Sequence, residues 1–100
     1  MAVVEISVVP LGTKSPSVSK HVARVIRVLQ EASEVKYELT SMGTIIEGDL
    51  DIIMAVVRKM HESAFTDEVV RVVTTIKIDD RRDKPLSMSG KLDALGRELG

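Results

Sequence analysis

Two stretches of alternating apolar and polar side chains, one near each end of the chain, constrain its fold more strongly than any other feature of the sequence. A period of two is typical of a β-strand with one buried and one more exposed face. In the first stretch, VVEISVVPLG, one face carries Val4, Ile6 and Val8, and the other carries Val3, Glu5, Ser7 and Val9. In the second, EVVRVVTTIKID, the faces carry Val70, Val72, Thr74, Ile76 and Ile78 against Val69, Arg71, Val73, Thr75 and Lys77.

The residues after the first strand indicate a turn followed by an amphipathic helix. Gly12 opens the turn. Ser15 and Pro16 are expected as N-cap and first helical residue, because proline lacks the amide hydrogen that would be unpaired there. Spacings of three and four residues place one apolar stripe on this helix, formed by Val18, Val22, Val25, Ile26 and Leu29.

The segment KYELTSMGTIIEG has the pattern of two strands that turn at Met42 and Gly43, where glycine can adopt the positive φ of a tight turn. Gly48 is expected to end the second of these strands. Asp49 would cap a second helix, with Asp51 in its first turn favoured by the helix dipole. The apolar stripe of this helix consists of Leu50, Ile53, Val56, Val57, Met60 and Ala64.

A charged break, DDRRDKP, separates the last strand from a short third helix with Leu92, Leu95 and Leu99 along one side. The element order is therefore β-α-β-β-α-β plus a C-terminal helix. Crossovers of this length are right-handed, so this order predicts one α+β domain over residues 1–100 with the ferredoxin-like fold. In that fold a four-stranded antiparallel sheet carries helices on one face.

The other face of the predicted sheet would be uncovered and half apolar. A contiguous surface of that composition is unfavourable in water. We therefore expect it to pack against the same face of another copy, as a homodimer or as a dimer of dimers.

The composition argues against several classes of function. The net charge of −1 gives no attraction to nucleic acid or anionic membrane, and the absence of cysteine excludes disulfides and thiol chemistry. RNA readers with this fold stack bases on two or three aromatic side chains of the sheet, whereas only Tyr37 and Phe65 are aromatic here. No apolar run approaches the ~20 residues that span a bilayer, and nothing at the start resembles a signal peptide, so we expect a cytoplasmic protein.

Candidate metal-binding and catalytic residues are few. His21 and His61 lack the spacing of a zinc pair and are interpreted as ordinary helix residues. Glu47, Asp49 and Asp51 could offer oxygen ligands to a cation, but capping accounts for the two aspartates. Glu47 stays open between a solvated carboxylate and a ligand contact. The run DDRRDK is expected to be a solvated loop or, alternatively, a salt-linked subunit contact.

The order of short motifs resembles that of one known family. Pro10-Leu11-Gly12 ends the first strand, Met42-Gly43-Thr44 and Glu47-Gly48 bound the hairpin, and Lys77-Ile78-Asp79 ends the last strand. Over essentially the whole chain, and most specifically in MGTIIEG and IKIDDR, the sequence resembles the YkoF-like, thiamine-binding family of ferredoxin-like proteins. The resemblance implies a homo-oligomer, commonly a tetramer, that binds thiamine or its pyrimidine part without catalysis and without a cofactor.

Carried onto this sequence, the resemblance implies that the hairpin from Met42 to Glu47 forms a wall of the ligand pocket. Glu47 or Glu5 would offset the positive charge of the thiazolium ring, because burying that charge unpaired is unfavourable. Ser15, at a helix N-terminus, could hold the hydroxyethyl group or a phosphate.

The remaining contacts implied by the resemblance come from the hairpin and the strand before it. Backbone groups near Gly43 and the hydroxyls of Ser41 and Thr44 would pair with the aminopyrimidine. Tyr37 and Met42 would cover the rings.

Two other functions are compatible with the sequence. The uncovered sheet face could serve only to assemble subunits or to capture a protein partner. Glu47, Asp49 and Asp51 could instead support metal-assisted hydrolysis. The favoured hypothesis is a non-enzymatic protein that binds thiamine or a related pyrimidine, for sequestration or sensing.

Overall fold

The computed structural model of the chain describes residues 1–13, 19–84 and 86–100. In chain order the elements are β1 (Ala2–Leu11), α1 (Ser19–Glu31), β2 (Lys36–Leu39), β3 (Thr44–Gly48), α2 (Leu50–Ser63), β4 (Arg71–Asp80) and α3 (Met88–Leu99). The strands form one antiparallel sheet in the order β2-β3-β1-β4. This confirms the predicted ferredoxin-like α+β fold with its extra C-terminal helix.

The register of the central strand β1 defines the two faces of the sheet. Val4 pairs with Ile46 of β3 on one side and with Ile78 of β4 on the other. These side chains lie on the helix face, where α1 and α2 pack and where Val4 and Ile46 are fully buried. The opposite face, named the outer face, carries the alternate β1 residues Val3, Glu5, Ser7 and Val9.

The second helix forms as the sequence predicts. The Asp49 carboxylate accepts a hydrogen bond from the Ile52 backbone amide at 3.3 Å and so caps the helix, and Asp51 lies in the first turn. Both carboxylates are near the positive end of the helix dipole. The predicted stripe packs into the core through Ile53, Val56, Val57, Met60 and Ala64, with Leu50 partly buried.

The first helix is less completely buried than its apolar stripe predicts. Val25 and Leu29 lie in the core, where each buried side chain of this size stabilises the fold by ~1.5–3 kcal/mol. Val22, about one turn earlier, is 44% exposed, which indicates a gap between the start of α1 and the sheet. The predicted cap Ser15-Pro16 and the first stripe residue, Val18, lie outside the described residues.

The faces that the alternation assigns to Val69 and Val70 are wrong, because β4 begins at Arg71 rather than at Glu68. The side-chain oxygen of Thr66 accepts hydrogen bonds from the backbone amides of Glu68 and Val69 and folds this segment into a turn. Val69 is consequently buried, and Val70 is 80% exposed.

The helices do not cover the edge strand β4 along its whole length. Ile76 and Ile78 lie on the helix face, opposite Ile6 and Val4, and both are nevertheless exposed. α2 contacts β1 and β3 more than it contacts β4. The predicted burial of the helix face therefore holds in the middle of the sheet and fails at this edge.

The outer face is not entirely bare, contrary to the prediction. Val3 lies between Glu47 and Asp79 in the strand register. The Met88 backbone amide donates a hydrogen bond to Glu47 Oε2 at 3.4 Å, and Lys91 Nζ lies 2.5 Å from Asp79 Oδ2. The start of α3 thus crosses this end of the outer face, which explains why Val3 is only 8% exposed.

Beyond that contact, the apolar side of α3 is uncovered. Leu92, Leu95 and Leu99 are each more than half exposed. Val9 and Val73, which are cross-strand neighbours towards the other end of the outer face, are exposed as well.

No helix in the described ranges is both long enough and apolar enough to cross a membrane.

The charged loop after β4 pairs its own acids and bases. Arg81 Nε lies 2.5 Å from Asp83 Oδ1, and Arg82 Nη2 lies 3.0 Å from Asp80 Oδ2. The hydrogen bond from Arg81 is the main cause that lowers the pKa of Asp83 from 3.8 to about 2. Exposed pairs of this kind add little to stability, and the arrangement fits the solvated-loop interpretation.

Candidate functional site

The gap beside Val22 is a cavity of about 330 Å³ that lies under the β2–β3 turn, and it is named the turn cavity. β1 forms one wall with residues 6–9, the start of α1 forms another with Val22, Val25 and Ile26, and Met60 of α2 contributes as well. The turn, residues 39–44, completes the lining. Val22 is therefore exposed because it faces the turn cavity rather than a packed neighbour.

The turn is organised by the side chain of Thr40. Its hydroxyl donates to the Gly43 carbonyl oxygen at 2.8 Å and accepts from the backbone amides of Met42 and Gly43 at 3.2 and 3.1 Å. The Thr40 backbone amide also donates to the Gly43 carbonyl oxygen, at 2.9 Å. Thr40 was not predicted as a site residue, although a threonine just before a Ser-Met-Gly segment is a known turn signal.

Gly43 is required for a different reason from the one that the sequence suggested. Its φ is not positive: in the described part of the chain only Gly12 and Gly100 have positive φ. A Cβ atom on Gly43 would lie 2.9 Å from the Ile6 carbonyl oxygen, a distance that real Cβ atoms essentially never show. The glycine is needed because the turn approaches the backbone of β1 closely.

The structure brings together four of the predicted contact residues in the wall of the turn cavity. They are Ser41, Met42, Gly43 and Thr44. Met42 is 85% exposed and lies at the rim, whereas Thr44 is buried. The Thr44 hydroxyl forms no hydrogen bond with another described side chain, so its hydrogen-bonding capacity is available inside the turn cavity.

The two candidate carboxylates lie on the other side of the sheet. Glu47 is on the outer face and accepts the hydrogen bond from the Met88 amide. Glu5 lines a separate outer-face groove of about 560 Å³ together with Lys77 and Lys91. Neither carboxylate lines the turn cavity. Glu5 nevertheless lies beside the turn, because a Cβ atom on Gly43 would be 3.9 Å from its Cγ, whereas Glu47 is held at the start of α3.

Of the two remaining predicted contact residues, one lies away from the turn cavity and the other lies outside the described residues. Tyr37 pairs with Ile46 on the helix face of β2, is partly exposed, and does not line the turn cavity. Ser15 lies outside the described residues.

The acidic residues proposed for a hydrolase do not form a metal site. Asp49 caps α2, and Glu47 is held by the start of α3. Across residues 1–13, 19–84 and 86–100, no three histidine, aspartate or glutamate side chains lie close enough together to hold a metal ion.

A second hollow, named the α1 groove, adjoins the turn cavity on the surface of the first helix. It measures about 500 Å³ and runs along α1 from Ser19 to Gln30, with Leu39 of β2 on its other side. Val22, Ile26 and Leu39 line both hollows. Sequence reasoning did not find the α1 groove, because its apolar residues follow the same spacing as core residues.

Residues 4–96 match the model of a family described as thiamine-binding proteins. The chain is 41% identical to the UPF0045 protein YqgV of Bacillus subtilis, over 99% of this chain and 98% of that protein. These matches extend over nearly the whole sequence, including every residue in the wall of the turn cavity.

Solved structures show the same fold. The crystal structure of the hypothetical protein MJ1052 from Methanocaldococcus jannaschii superposes with a TM-score of 0.87 at 43% identity and covers 95% of each chain. A Thermotoga maritima protein, TM0486, designated as a candidate for thiamine biosynthesis or salvage, superposes with a TM-score of 0.76 at 22% identity and covers 94% of this chain and 97% of its own. The second likeness supports the fold alone.

Proposed function

Because the chain belongs to the thiamine-binding protein family, we propose that it binds thiamine or a related aminopyrimidine in the turn cavity. The observation that carries this proposal is the turn cavity itself, with about 330 Å³ of space and four of the predicted contact residues in its wall. Small-molecule sites commonly combine a space of this size with apolar walls and a few well-placed polar groups.

The wall of the turn cavity offers the two kinds of contact that an aminopyrimidine needs. The hydroxyls of Ser41 and Thr44 can donate or accept directional hydrogen bonds to ring nitrogens and the amino group. Val22, Ile26 and Met42 provide apolar cover for the ring, and the methionine thioether is suited to contact with an aromatic system.

We propose binding without catalysis. The described lining of the turn cavity contains no histidine, carboxylate or lysine that could transfer a proton to or from a ligand. Serine and threonine hydroxyls are weak nucleophiles unless a base lies beside them. The protein would therefore sequester or sense its ligand.

Calorimetry with thiamine and with hydroxymethylpyrimidine tests this proposal. We expect Thr44→Val to weaken binding about three- to tenfold, because a hydrogen bond contributes ~0.5–1.5 kcal/mol. Thr75→Val, the same change on the outer face, should leave the affinity unchanged. Thermal scans give a second readout, since a Kd of about 10 μM would stabilise the fold by ~2.7 kcal/mol at about 1 mM ligand. If neither ligand produces a heat of binding or a thermal shift, ligand binding is refuted.

We also propose that copies of the chain associate through the outer face, as a homodimer or a dimer of dimers. The exposed Val9 and Val73 pair and the uncovered apolar side of α3 support this, because such surfaces are unfavourable in water. A self-complementary face forms closed, symmetric contacts. If the ligand tests fail, a structural or regulatory assembly module becomes the better explanation of the same surfaces.

A further inference from the structure

The turn cavity and the α1 groove adjoin each other and are together called the hollow. They share Val22, Ile26 and Leu39, and the α1 groove continues from these residues along α1 to Arg27 and Gln30. Arg27 directly follows Ile26, which lines both parts of the hollow, so Arg27 lies close to the boundary that they share. A ring held in the turn cavity could therefore extend a substituent of a few atoms to Arg27.

Arg27 gives this hollow an unbalanced positive charge. Among the described residues that line the two parts, Arg27 is the only charged side chain. It forms no ion pair within the described chain, and Glu31, one turn further along α1, is not within 4.0 Å of it. The carboxylates of Glu5 and Glu47 are on the outer face, so the sheet separates them from Arg27.

The charge of thiamine fits this arrangement poorly. Its thiazolium ring carries a permanent positive charge, which a nearby guanidinium group repels. A phosphate has the opposite sign and the geometry that a guanidinium group binds in a bidentate manner. The side-chain amide of Gln30, one turn from Arg27, can donate a further hydrogen bond.

We infer that the hollow selects an anionic ligand, a phosphorylated aminopyrimidine whose ring occupies the turn cavity and whose phosphate binds Arg27 and Gln30. This inference rests on the proposed function and specifies its ligand by charge. Arg27 is then the specificity-determining residue, and the uncharged pyrimidine and the thiamine cation bind more weakly.

Calorimetry with three probes tests the inference: hydroxymethylpyrimidine, hydroxymethylpyrimidine phosphate and free thiamine. We expect the phosphate to bind about tenfold more tightly than the uncharged pyrimidine, which is the effect of one charge-assisted contact. Raising the salt from about 0.02 M to about 0.5 M should reduce this preference, because salt screens exposed charges.

Three variants test whether the preference for the phosphate depends on Arg27. Two are substitutions of Arg27 itself, in α1, and the third is a control substitution of Arg58, in α2. Arg27→Gln should abolish the preference for the phosphate, and Arg27→Glu should improve the binding of free thiamine severalfold. Arg58→Gln is the matched control, because Arg58 is exposed on α2 and lines neither part of the hollow.

The outcomes separate the inference from the proposed function. A phosphate preference that disappears in Arg27→Gln and persists in Arg58→Gln supports the inference. Equal binding of the phosphate and the uncharged pyrimidine, or a preference that survives in Arg27→Gln, overturns it and leaves aminopyrimidine binding intact. If none of the three probes binds the folded protein, the proposed function and the inference are both wrong.

Discussion

Among single residues, Gly43 has the clearest structural requirement. A side chain at this position would meet the carbonyl oxygen of Ile6, which belongs to the central strand. β1 is hydrogen-bonded to β3 on one side and to β4 on the other, so its backbone cannot move aside without disturbing both ladders. The requirement is steric and is independent of any ligand.

We expect Gly43→Ala to destabilise the fold by ~1–3 kcal/mol, the usual cost of forcing extra volume into a packed region. Urea unfolding measures this change. Gly96→Ala is the matched control, because no atom lies within 4 Å of the added Cβ in α3. Alanine is the better helix former, so the control should be neutral or stabilised by up to ~1 kcal/mol. An equal loss of stability in both variants would contradict the steric explanation.

The β2–β3 turn is the element that shapes the turn cavity, and Thr40 holds it closed through three side-chain hydrogen bonds. We expect Thr40→Val to free the Met42 and Gly43 amides and to destabilise the turn by ~1–2 kcal/mol, while Thr40→Ser retains the bonds. Hydrogen exchange of these amides is the measurement, because it reports local opening. Unchanged protection in Thr40→Val would show that the hydroxyl does not hold the turn.

The identity and order of the elements could be predicted from the sequence because each depends on local pattern. The period-two strands, the Asp49 cap and the α2 stripe all rest on residues within one element, and the structure confirms them. The start of β4 was missed because the Thr66 turn overrides a run of valines whose alternation continues through it. Exposure of Val22 could not be predicted, since helical spacing does not reveal whether a neighbouring element reaches that side chain.

The candidate site was predicted only in part. The hairpin residues Ser41 to Thr44 were placed together correctly because they are adjacent in sequence. Glu47 was grouped with them, although the alternation in TIIEG already places Thr44 and Ile46 on one face and Glu47 on the other. Arg27 was not found, because its proximity to the hairpin depends on how α1 packs beside β2.

In the molecule as a whole, the proposed ligand site and the proposed assembly surface meet at Val9, which lines the turn cavity and pairs with Val73 on the outer face. We expect Val73→Asp to dissociate the oligomer, because it places a charge at the centre of the exposed Val9 and Val73 pair. Light scattering at micromolar concentration measures the mass. Val70→Asp is the control, since Val70 is 80% exposed but precedes β4 and lies outside the strand pairing. A monomeric native protein, or an intact oligomer in Val73→Asp, would contradict assembly through the outer face.

An NMR titration of the labelled protein with hydroxymethylpyrimidine shows where on the sheet the ligand binds. We predict that the largest shifts fall on the backbone amides of Met42, Gly43 and Val22, which line the turn cavity. The amides of Glu5 and Lys77, in the outer-face groove, should change little. Shifts concentrated at Glu5 and Lys77, with Met42 and Gly43 unaffected, would place the ligand in the outer-face groove and refute binding in the turn cavity.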